Sequence, residues 1–296
     1  MTKTELKHRS VARAFDSQRT LEGGGVEIRR GFPGPEIDEV DPFLLLDHMG
    51  PITIAPGQAT GFPDHPHRGF ETVTYLLEGQ MEHKDSFGNR GFLEAGDVQW
   101  MTAGSGLVHS EMPGRDLVRT GGRLQGFQIW VNLPKRDKMT PPKYQELKAA
   151  VIPHAETASS DVKVKVIAGE SLGMRGAIQV RTPILYLHLT LAPGATHVQE
   201  VAEKFNALAY IIRGEAQFAG APERQGEGRL VLFAHDGGAV AISNPSSQPV
   251  DLLLLAGEPI GEPIARYGPF VMNTREEIYQ AFADFRSGKL GEIPEN

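Results

Sequence analysis

The sequence contains no cysteine at all. This absence excludes disulfide bonds, zinc–thiolate sites and cysteine nucleophiles together. The chain also lacks an excess of positive charge, because 37 acidic residues outnumber 30 basic ones and give a formal net charge of -7. An acidic chain gains nothing from the release of counterions from a phosphate backbone, so direct binding to nucleic acid is not expected.

Long hydrophobic runs are missing as well. The longest apolar stretches, such as VDLLLLAG, have the length of a strand and are too short to span a membrane. The first residues, MTKTELKHRSVARAF, do not contain the apolar core of a secretory signal. We therefore expect no association with a membrane and a cytoplasmic location.

Glycine and proline are abundant, with 34 and 21 copies among 296 residues, which is typical of all-β folds with many turns. Short segments rich in β-branched and aromatic residues, bounded by turn residues, predict strands. These segments are ETVTYLLEG, GDVQWMTAG, LQGFQIWVNL, VKVKVIAG, ILYLHLTLAPG, ALAYIIRGEAQF, RLVLFA and VDLLLLAG. Only TREEIYQAFADFRSG predicts a helix, with Thr274 as its N-cap and Gly288 near its end.

The strand pattern is interrupted once, by NLPKRDKMTPPKYQELKAAVIP, whose charges and proline pair are typical of a linker. We therefore expect an N-terminal domain over 1–135, a linker over 136–153 and a C-terminal domain over 154–296 that ends with the helix.

The two halves also resemble each other. TVTYLLEGQMEH aligns with ALAYIIRGEAQF, which brings Tyr75 opposite Tyr210, and GDVQWMTAG aligns with GGAVAISNP, which brings Val98 opposite Val240. An internal repeat of this length predicts two domains of one architecture.

Two pairs of side chains carry the candidate chemistry. In FPDHPHRGF, His65 and His67 are two residues apart, and in SGLVHSEMP, His109 and Glu111 have the same spacing. Because alternate residues of a strand share one face, each pair would aim its two side chains to the same side. Pro66 favours an extended conformation for the residue before it, which supports this interpretation for the first pair.

Three imidazoles and one carboxylate form a mixed nitrogen and oxygen site, which suits Fe(II), Mn(II), Ni(II), Cu(II) or Zn(II) better than Ca(II) or Mg(II). Four protein ligands on a six-coordinate ion would leave two positions open for a chelating substrate, dioxygen or both. The alternative is that these side chains only stabilise turns. The repeat argues against this alternative. The aligned positions of the second half carry Glu200, Ala202, Asp251 and Leu253, so that half keeps the strand pattern without the four side chains, and the fold does not require them.

Several other residues remain open from the sequence. Three roles are open for Glu71: a fifth ligand, a partner of a ligand, or an exposed strand carboxylate. His83 is expected at the surface. An apolar mouth near the ligands would be lined by large side chains, for which core packing is the alternative. These side chains are Phe62, Phe70, Trp100, Met101 and Met112.

FPDHPHRGFETVTYLLEG and GDVQWMTAGSGLVHSEMP resemble the two motifs of the pirin family, a branch of the bicupins. The closing GEPIARYGPFVMNTREEIYQAFADFRSGKLG resembles the C-terminal motif and helix of that family. The resemblance implies an all-β fold of two antiparallel β-barrel cupin (jelly-roll) domains packed together, with a short C-terminal helix and metal only in the N-terminal domain. By position, the ligands of the family fall on His65, His67, His109 and Glu111.

Pirin-like proteins include quercetin 2,3-dioxygenases, and others are described as transcriptional co-regulators or partners of metabolic enzymes. The resemblance implies a metal-dependent dioxygenase that cleaves flavonols such as quercetin with dioxygen and releases carbon monoxide. Fe(II) is the first choice of metal, and Glu111 would take the proton of the substrate hydroxyl. The alternative is a non-enzymatic, redox-sensing regulator that binds metal and a protein partner. We expect a monomer in either case.

Overall fold

The structure, a computed structural model, describes residues 6–294. Its strands up to the middle of the chain are β1 (Val11–Asp16), β2 (Gln18–Glu22), β3 (Val26–Phe32), β4 (Phe43–Ile54), β5 (Phe62–His67), β6 (Phe70–Glu78), β7 (Gln80–Asp85), β8 (Arg90–Glu94), β9 (Val98–Thr102), β10 (Leu107–Pro113), β11 (Gly122–Asn132) and β12 (Lys143–Leu147). The later strands are β13 (His154–Glu156), β14 (Val162–Ala168), β15 (Glu170–Ser171), β16 (Met174–Arg175), β17 (Ile184–Leu191), β18 (Thr196–Glu200), β19 (Asn206–Arg213), β20 (Glu215–Phe218), β21 (Gln225–Gly226), β22 (Arg229–Phe233), β23 (Ala239–Ser243), β24 (Val250–Gly257), β25 (Ala265–Tyr267) and β26 (Phe270–Met272). The helices are α1 (Arg115–Thr120) and α2 (Arg275–Arg286), with 3₁₀ turns at Lys135–Asp137 and Ala149–Val151. Each segment predicted as a strand, and the predicted helix, is confirmed.

The chain forms two compact units, each built from two separate segments. The aliphatic unit consists of the chain up to Ser17 and of Val151–Pro259, and the histidine unit consists of Gln18–Ala150 and the chain from Ile260 onward. The predicted boundaries followed chain order, whereas the units exchange their ends. Strand β1 pairs with β22 of the aliphatic unit, and α2 packs on β25 and β26 of the histidine unit.

The predicted linker contributes to a sheet. Strand β12 lies within it and pairs with β9 at the edge of the large sheet of the histidine unit. An edge strand left without a partner exposes backbone hydrogen-bonding groups, and β12 satisfies those of β9. The charges and prolines that indicated a linker fit an edge strand equally well, because an edge strand has one side open to solvent.

The histidine unit is a jelly roll of two antiparallel sheets. The larger sheet has the order β12-β9-β6-β11-β4-β3-β2 and the smaller has the order β5-β10-β7-β8. Buried side chains from both sheets meet in one cluster, which includes Met49, Leu76, Met81, Leu93 and Leu124. The alternation of buried and exposed residues in β8 is the expected pattern of a strand with one face on the core.

The aliphatic unit repeats this topology. Its larger sheet has the order β1-β22-β19-β24-β17-β14-β13 and its smaller sheet has the order β18-β23-β20-β21. Position by position, β6 corresponds to β19 and β10 to β23, so the predicted repeat and its first alignment are confirmed. The second alignment was wrong, because Val98 lies in β9 and its counterpart strand is β22, whereas Val240 lies in β23. The sequence of β23, AVAIS, carries no metal-binding side chain.

Helix α2 begins with a complete capping box. The Thr274 hydroxyl oxygen accepts a hydrogen bond from the backbone N–H of Glu277 at 3.2 Å, and the Glu277 carboxylate accepts one from the Thr274 N–H at 3.1 Å. We expect Thr274→Ala to lower the free energy of unfolding by about 1 kcal/mol, because one helix N–H loses its acceptor. Urea denaturation followed by tryptophan fluorescence measures this loss. Thr274→Ser keeps the acceptor, so equal loss in both variants would contradict the capping role.

Among residues 6–294, no helix has the length and the apolar character needed to cross a membrane.

Candidate metal centre

The histidine pair of β5 and the His–Glu pair of β10 lie on adjacent antiparallel strands. His109 is directly opposite His65 in the register. Between His109 and Glu111 the register shifts, because Glu111 pairs with Phe62 and β5 carries one extra residue there. Such a bulge changes the direction of the side chains around it and is common beside functional sites. The pairing of β5 with β10 therefore brings the two pairs to adjacent strands of one sheet.

Three of the four predicted ligands, all histidines, lie close together. One ring nitrogen from each of His65, His67 and His109 lies within 4.8 Å of those of the other two. The ring centroids are 4.7 Å apart for His65 and His67, 4.2 Å for His65 and His109, and 4.9 Å for His67 and His109. No other group of this kind is found in the described part of the chain.

Backbone carbonyls fix the orientation of two of these rings. His65 Nδ1 donates to the Pro63 carbonyl at 2.7 Å, and His67 Nδ1 donates to the Pro269 carbonyl at 3.3 Å. A histidine that donates from Nδ1 offers the lone pair of Nε2 to a metal ion. The two Nε2 atoms lie 3.1 Å from each other. Two nitrogens that are each about 2.1 Å from one ion and at a right angle are separated by about 3.0 Å.

The third ring has nothing to bind within the described protein. His109 is buried, and neither Nδ1 nor Nε2 has a hydrogen-bond partner among residues 6–294. Burial lowers the pKa of His109 and that of His67 well below the usual range, so both imidazoles are neutral at pH 7. A buried polar group without a partner is costly. Neutral imidazoles whose nitrogens converge fit a divalent transition-metal ion, which would supply the missing interaction.

The fourth predicted ligand, Glu111, lies beside this cluster. Thr74 Oγ1 donates to Glu111 Oε1 at 2.8 Å, and Gln128 Nε2 donates to Glu111 Oε2 at 3.3 Å. Burial raises the pKa of Glu111, while the hydrogen bonds and the nearby His65 act in the opposite direction. The three-histidine group does not include this carboxylate. Its role as a ligand stays a prediction.

Two other residues differ from what the sequence indicated. Glu71 is buried and accepts a hydrogen bond from Thr102 Oγ1 at 2.6 Å, so the exposed-carboxylate interpretation was wrong. His83 is also buried, because it lies on the same face of β7 as the buried Met81 and Asp85, and it pairs with Glu111 of β10. Its Nε2 lies 2.8 Å from the hydroxyl oxygen of Tyr144, and its ring centroid lies 5.3 Å from that of His109. The signal overlooked was the His83-Lys84-Asp85 spacing, which repeats the two-residue pattern of the ligands.

A cavity of about 1030 Å³ opens beside the histidines. The predicted apolar lining is only partly correct: Phe62 lines it, whereas Trp100 and Met101 are in the core and Met112 is exposed. Phe70 packs against the His67 ring, with centroids 5.0 Å apart. The remaining wall combines apolar and charged side chains. Its charged side chains are Glu22, Arg30, Asp38, Glu39, Asp47, Asp64, Glu111 and Arg266.

Two jelly-roll units of one topology, of which only one has a histidine cluster within the described residues, define a bicupin protein. Residues 25–131 match the model of the Pirin family, and residues 186–291 match that of the Pirin C-terminal cupin domain. The chain belongs to the pirin family, and the predicted cupin fold is confirmed.

Relatives and solved structures agree with this assignment. A pirin-like protein of Solanum lycopersicum is 46% identical over 283 residues, which cover 96% of this chain and 93% of that protein. Human pirin is 43% identical over 277 residues, covering 93% and 91%. A crystal structure of quercetin 2,3-dioxygenase from Acinetobacter baumannii matches with a TM-score of 0.91 and 35% identity, covering 97% of this chain and 100% of that one. Escherichia coli YhhW, a bacterial pirin in complex with nickel(II), matches with a TM-score of 0.62 at 22% identity, covering 82% and 95%, which concerns the fold alone.

Proposed function

We propose that this protein is a metal-dependent dioxygenase of the pirin type, which cleaves flavonols such as quercetin with dioxygen and releases carbon monoxide. The observation that carries the proposal is His109, a buried imidazole without a described hydrogen-bond partner, beside two oriented histidines and a large cavity. The similarity to the quercetin 2,3-dioxygenase of Acinetobacter baumannii over nearly the whole chain supports it.

His65, His67, His109 and Glu111 would hold one divalent transition-metal ion, with Fe(II) as first choice and Mn(II), Ni(II), Cu(II) or Zn(II) as alternatives. When bound, such an ion lowers the pKa of a hydroxyl group on it and supports chemistry with dioxygen. The Nδ1 hydrogen bonds to Pro63 and Pro269 keep two of the rings oriented for this task.

The remaining chemistry belongs to Glu111 and the cavity wall. The Glu111 carboxylate is the base that takes the proton of the flavonol hydroxyl, and burial favours its protonated form. Its Oε2 atom is the acceptor, because the hydrogen bond from Gln128 at 3.3 Å is long and readily replaced. Trp130 lines the cavity and meets the His67 ring at 5.1 Å, so its indole orients a planar substrate beside the ligands.

We expect Glu111→Gln to lower the turnover of quercetin by about 100-fold, because the variant has no base for the hydroxyl proton. Protein loaded separately with Fe(II), Mn(II), Ni(II) or Cu(II) is mixed with quercetin in air. The loss of flavonol absorbance and the release of carbon monoxide are then measured.

Glu71→Gln is the matched control, since Glu71 is a buried glutamate of the same unit outside the three-histidine group. Full activity in Glu111→Gln together with loss in Glu71→Gln would transfer the role to Glu71. Stoichiometric metal without turnover of any flavonol would contradict the dioxygenase, and would favour the redox-sensing regulator with a protein partner. The cytoplasmic location and the monomeric state stay predictions.

A further inference from the structure

One of the two guanidinium groups on the cavity wall, that of Arg30, is neutralised within the wall. Arg30 forms a two-pronged ion pair with Asp47, in which Nε donates to Oδ1 at 2.8 Å and Nη2 donates to Oδ2 at 2.6 Å. Its third nitrogen, Nη1, lies 2.9 Å from a carboxylate oxygen of Glu22. All three nitrogens of this guanidinium therefore have a carboxylate partner, and Arg30 has little capacity left for a ligand.

Arg266 differs from Arg30 in this respect. It is half-buried on the same wall and makes no ion pair with any residue in the range 6–294. Its Nη1 donates to the Leu44 carbonyl at 2.9 Å, and this is its one hydrogen bond within the described residues. The carbon of the guanidinium lies 4.9 Å from the centre of the Trp130 ring, in a cation–π contact. A guanidinium carries five donors, so several remain available on the cavity side.

Trp130 connects this cation with the histidine cluster. Its ring meets the ring of His67 at 5.1 Å with an interplanar angle of 73°, and the ring of Phe70 at 4.3 Å. Arg266, Trp130 and His67 therefore follow one another along the cavity wall. A planar aromatic ligand with one end at the histidines extends along the indole, and its other end then reaches the guanidinium.

We infer that Arg266 determines specificity: it binds an acidic oxygen, such as an ionised phenol or a carboxylate, at the end of the substrate remote from the metal. The inference rests on the proposed function and narrows its substrate class to planar aromatic enols with a second oxygen acid. A partly desolvated cation without an ion pair gains most from a ligand anion, and the fork of a guanidinium binds two oxygens at once.

The carboxylates on the same wall make the binding of an acidic ligand depend more strongly on Arg266. Asp38 and Glu39 line the cavity and are near enough for their charges to act on Arg266. The wall already has six carboxylates against two guanidinium groups, so loss of Arg266 would increase its excess of negative charge and strengthen the repulsion of an anionic ligand. The arginine thus decides whether the cavity accepts or rejects an acidic group, while a neutral ligand is affected much less.

The test compares quercetin with a flavonol that carries a sulfonate on its catechol ring, bound to nickel-loaded protein without dioxygen. We expect Arg266→Gln to weaken binding of the sulfonated flavonol by about 10-fold or more and to change binding of quercetin by less than about twofold. Arg266→Lys should retain part of the affinity, because it keeps the charge and loses the fork. Dissociation constants come from fluorescence titration.

The control is Arg123→Gln, which removes an arginine of the same strand as Trp130 that pairs with Glu78 outside the cavity. Equal weakening of both flavonols by Arg266→Gln would overturn the inference and leave only packing on the indole. No change with either would overturn it as well. Binding is measured without turnover, so absence of dioxygenase activity would not produce either result.

Discussion

Protein with alanine in place of His109 is expected to bind a transition-metal ion more than about 100-fold more weakly than the wild type. Loss of the hydrogen-bond partner of a metal ligand weakens binding by about 10- to 100-fold, and loss of a ligand itself should weaken it further. The reason is the position of the ring beside both His65 and His67, with both nitrogens buried and without a described partner. Isothermal titration of chelator-treated protein with Ni(II) measures the affinity, and elemental analysis of freshly purified protein measures the occupancy.

His197→Ala provides the matched control for this loss. His197 is a buried histidine whose Nε2 also lacks a described partner, but it lies in β18 of the aliphatic unit, the counterpart of β5. We expect this variant to bind the metal as the wild type does. If His109→Ala still binds one equivalent of Ni(II) with unchanged affinity, the candidate metal centre is refuted, and the proposed dioxygenase with it.

The sequence was sufficient to predict the fold and to single out three histidines that lie close together, whereas their role as metal ligands stays a prediction. Alternating apolar residues between turn signals predict strands, and strands force residues two apart onto one face. The internal repeat predicted a common topology for both halves, and the sheet orders confirm it. Local rules worked here because each ligand pair lies within a single strand, and pairing of β5 with β10 was enough to bring the pairs together.

Contacts between segments distant in sequence could not be predicted by these local rules. His83 was expected at the surface because it follows a hairpin turn, and the sequence of β7 does not show that the face carrying His83 packs inward. The charged cavity wall depends on strands and loops distant in sequence, so residues near the ligands in sequence were the wrong guide to it. The membership of the chain ends likewise depends on long-range contacts, since β1 pairs with β22 of the aliphatic unit and α2 packs on β25 and β26 of the histidine unit.

The C-terminal segment illustrates this most clearly, because it supports His67 from 202 positions away. Next to the Pro269 carbonyl that orients the ring, the backbone N–H of Val271 donates to the Arg68 carbonyl at 3.1 Å. The Arg68 side chain donates to Asp284 of α2 at 2.9 Å and to the Ser105 carbonyl at 2.7 Å. The C-terminal segment that carries the family motif therefore contacts the candidate metal centre and lies in the same unit.

Lys138 joins the two sides of this arrangement. Its buried ammonium donates to the Gly69 carbonyl at 2.8 Å, to Asn132 Oδ1 at 2.6 Å and to the Val271 carbonyl at 3.1 Å. We expect Lys138→Met to lower the free energy of unfolding by about 3 kcal/mol, because three buried oxygens lose their donor. Weaker binding of Ni(II) should accompany this loss, since residue 69 follows His67 closely. Tryptophan fluorescence during urea denaturation reports the histidine unit alone, as both tryptophans lie in it.

The cost of this substitution should also depend on pH. Burial lowers the pKa of Lys138 from 10.5 to about 8, so between these values the unfolded chain binds more protons than the folded one. The free energy of unfolding of the wild type therefore rises with pH between the folded and the unfolded pKa of Lys138. The methionine variant lacks this increase. The difference in free energy of unfolding between wild type and Lys138→Met should increase from about pH 8 upward. Lys135→Met, at an exposed lysine, should show no such pH-dependent difference. A gap that stays constant, or closes, with rising pH would contradict the assignment of a buried ammonium to this position.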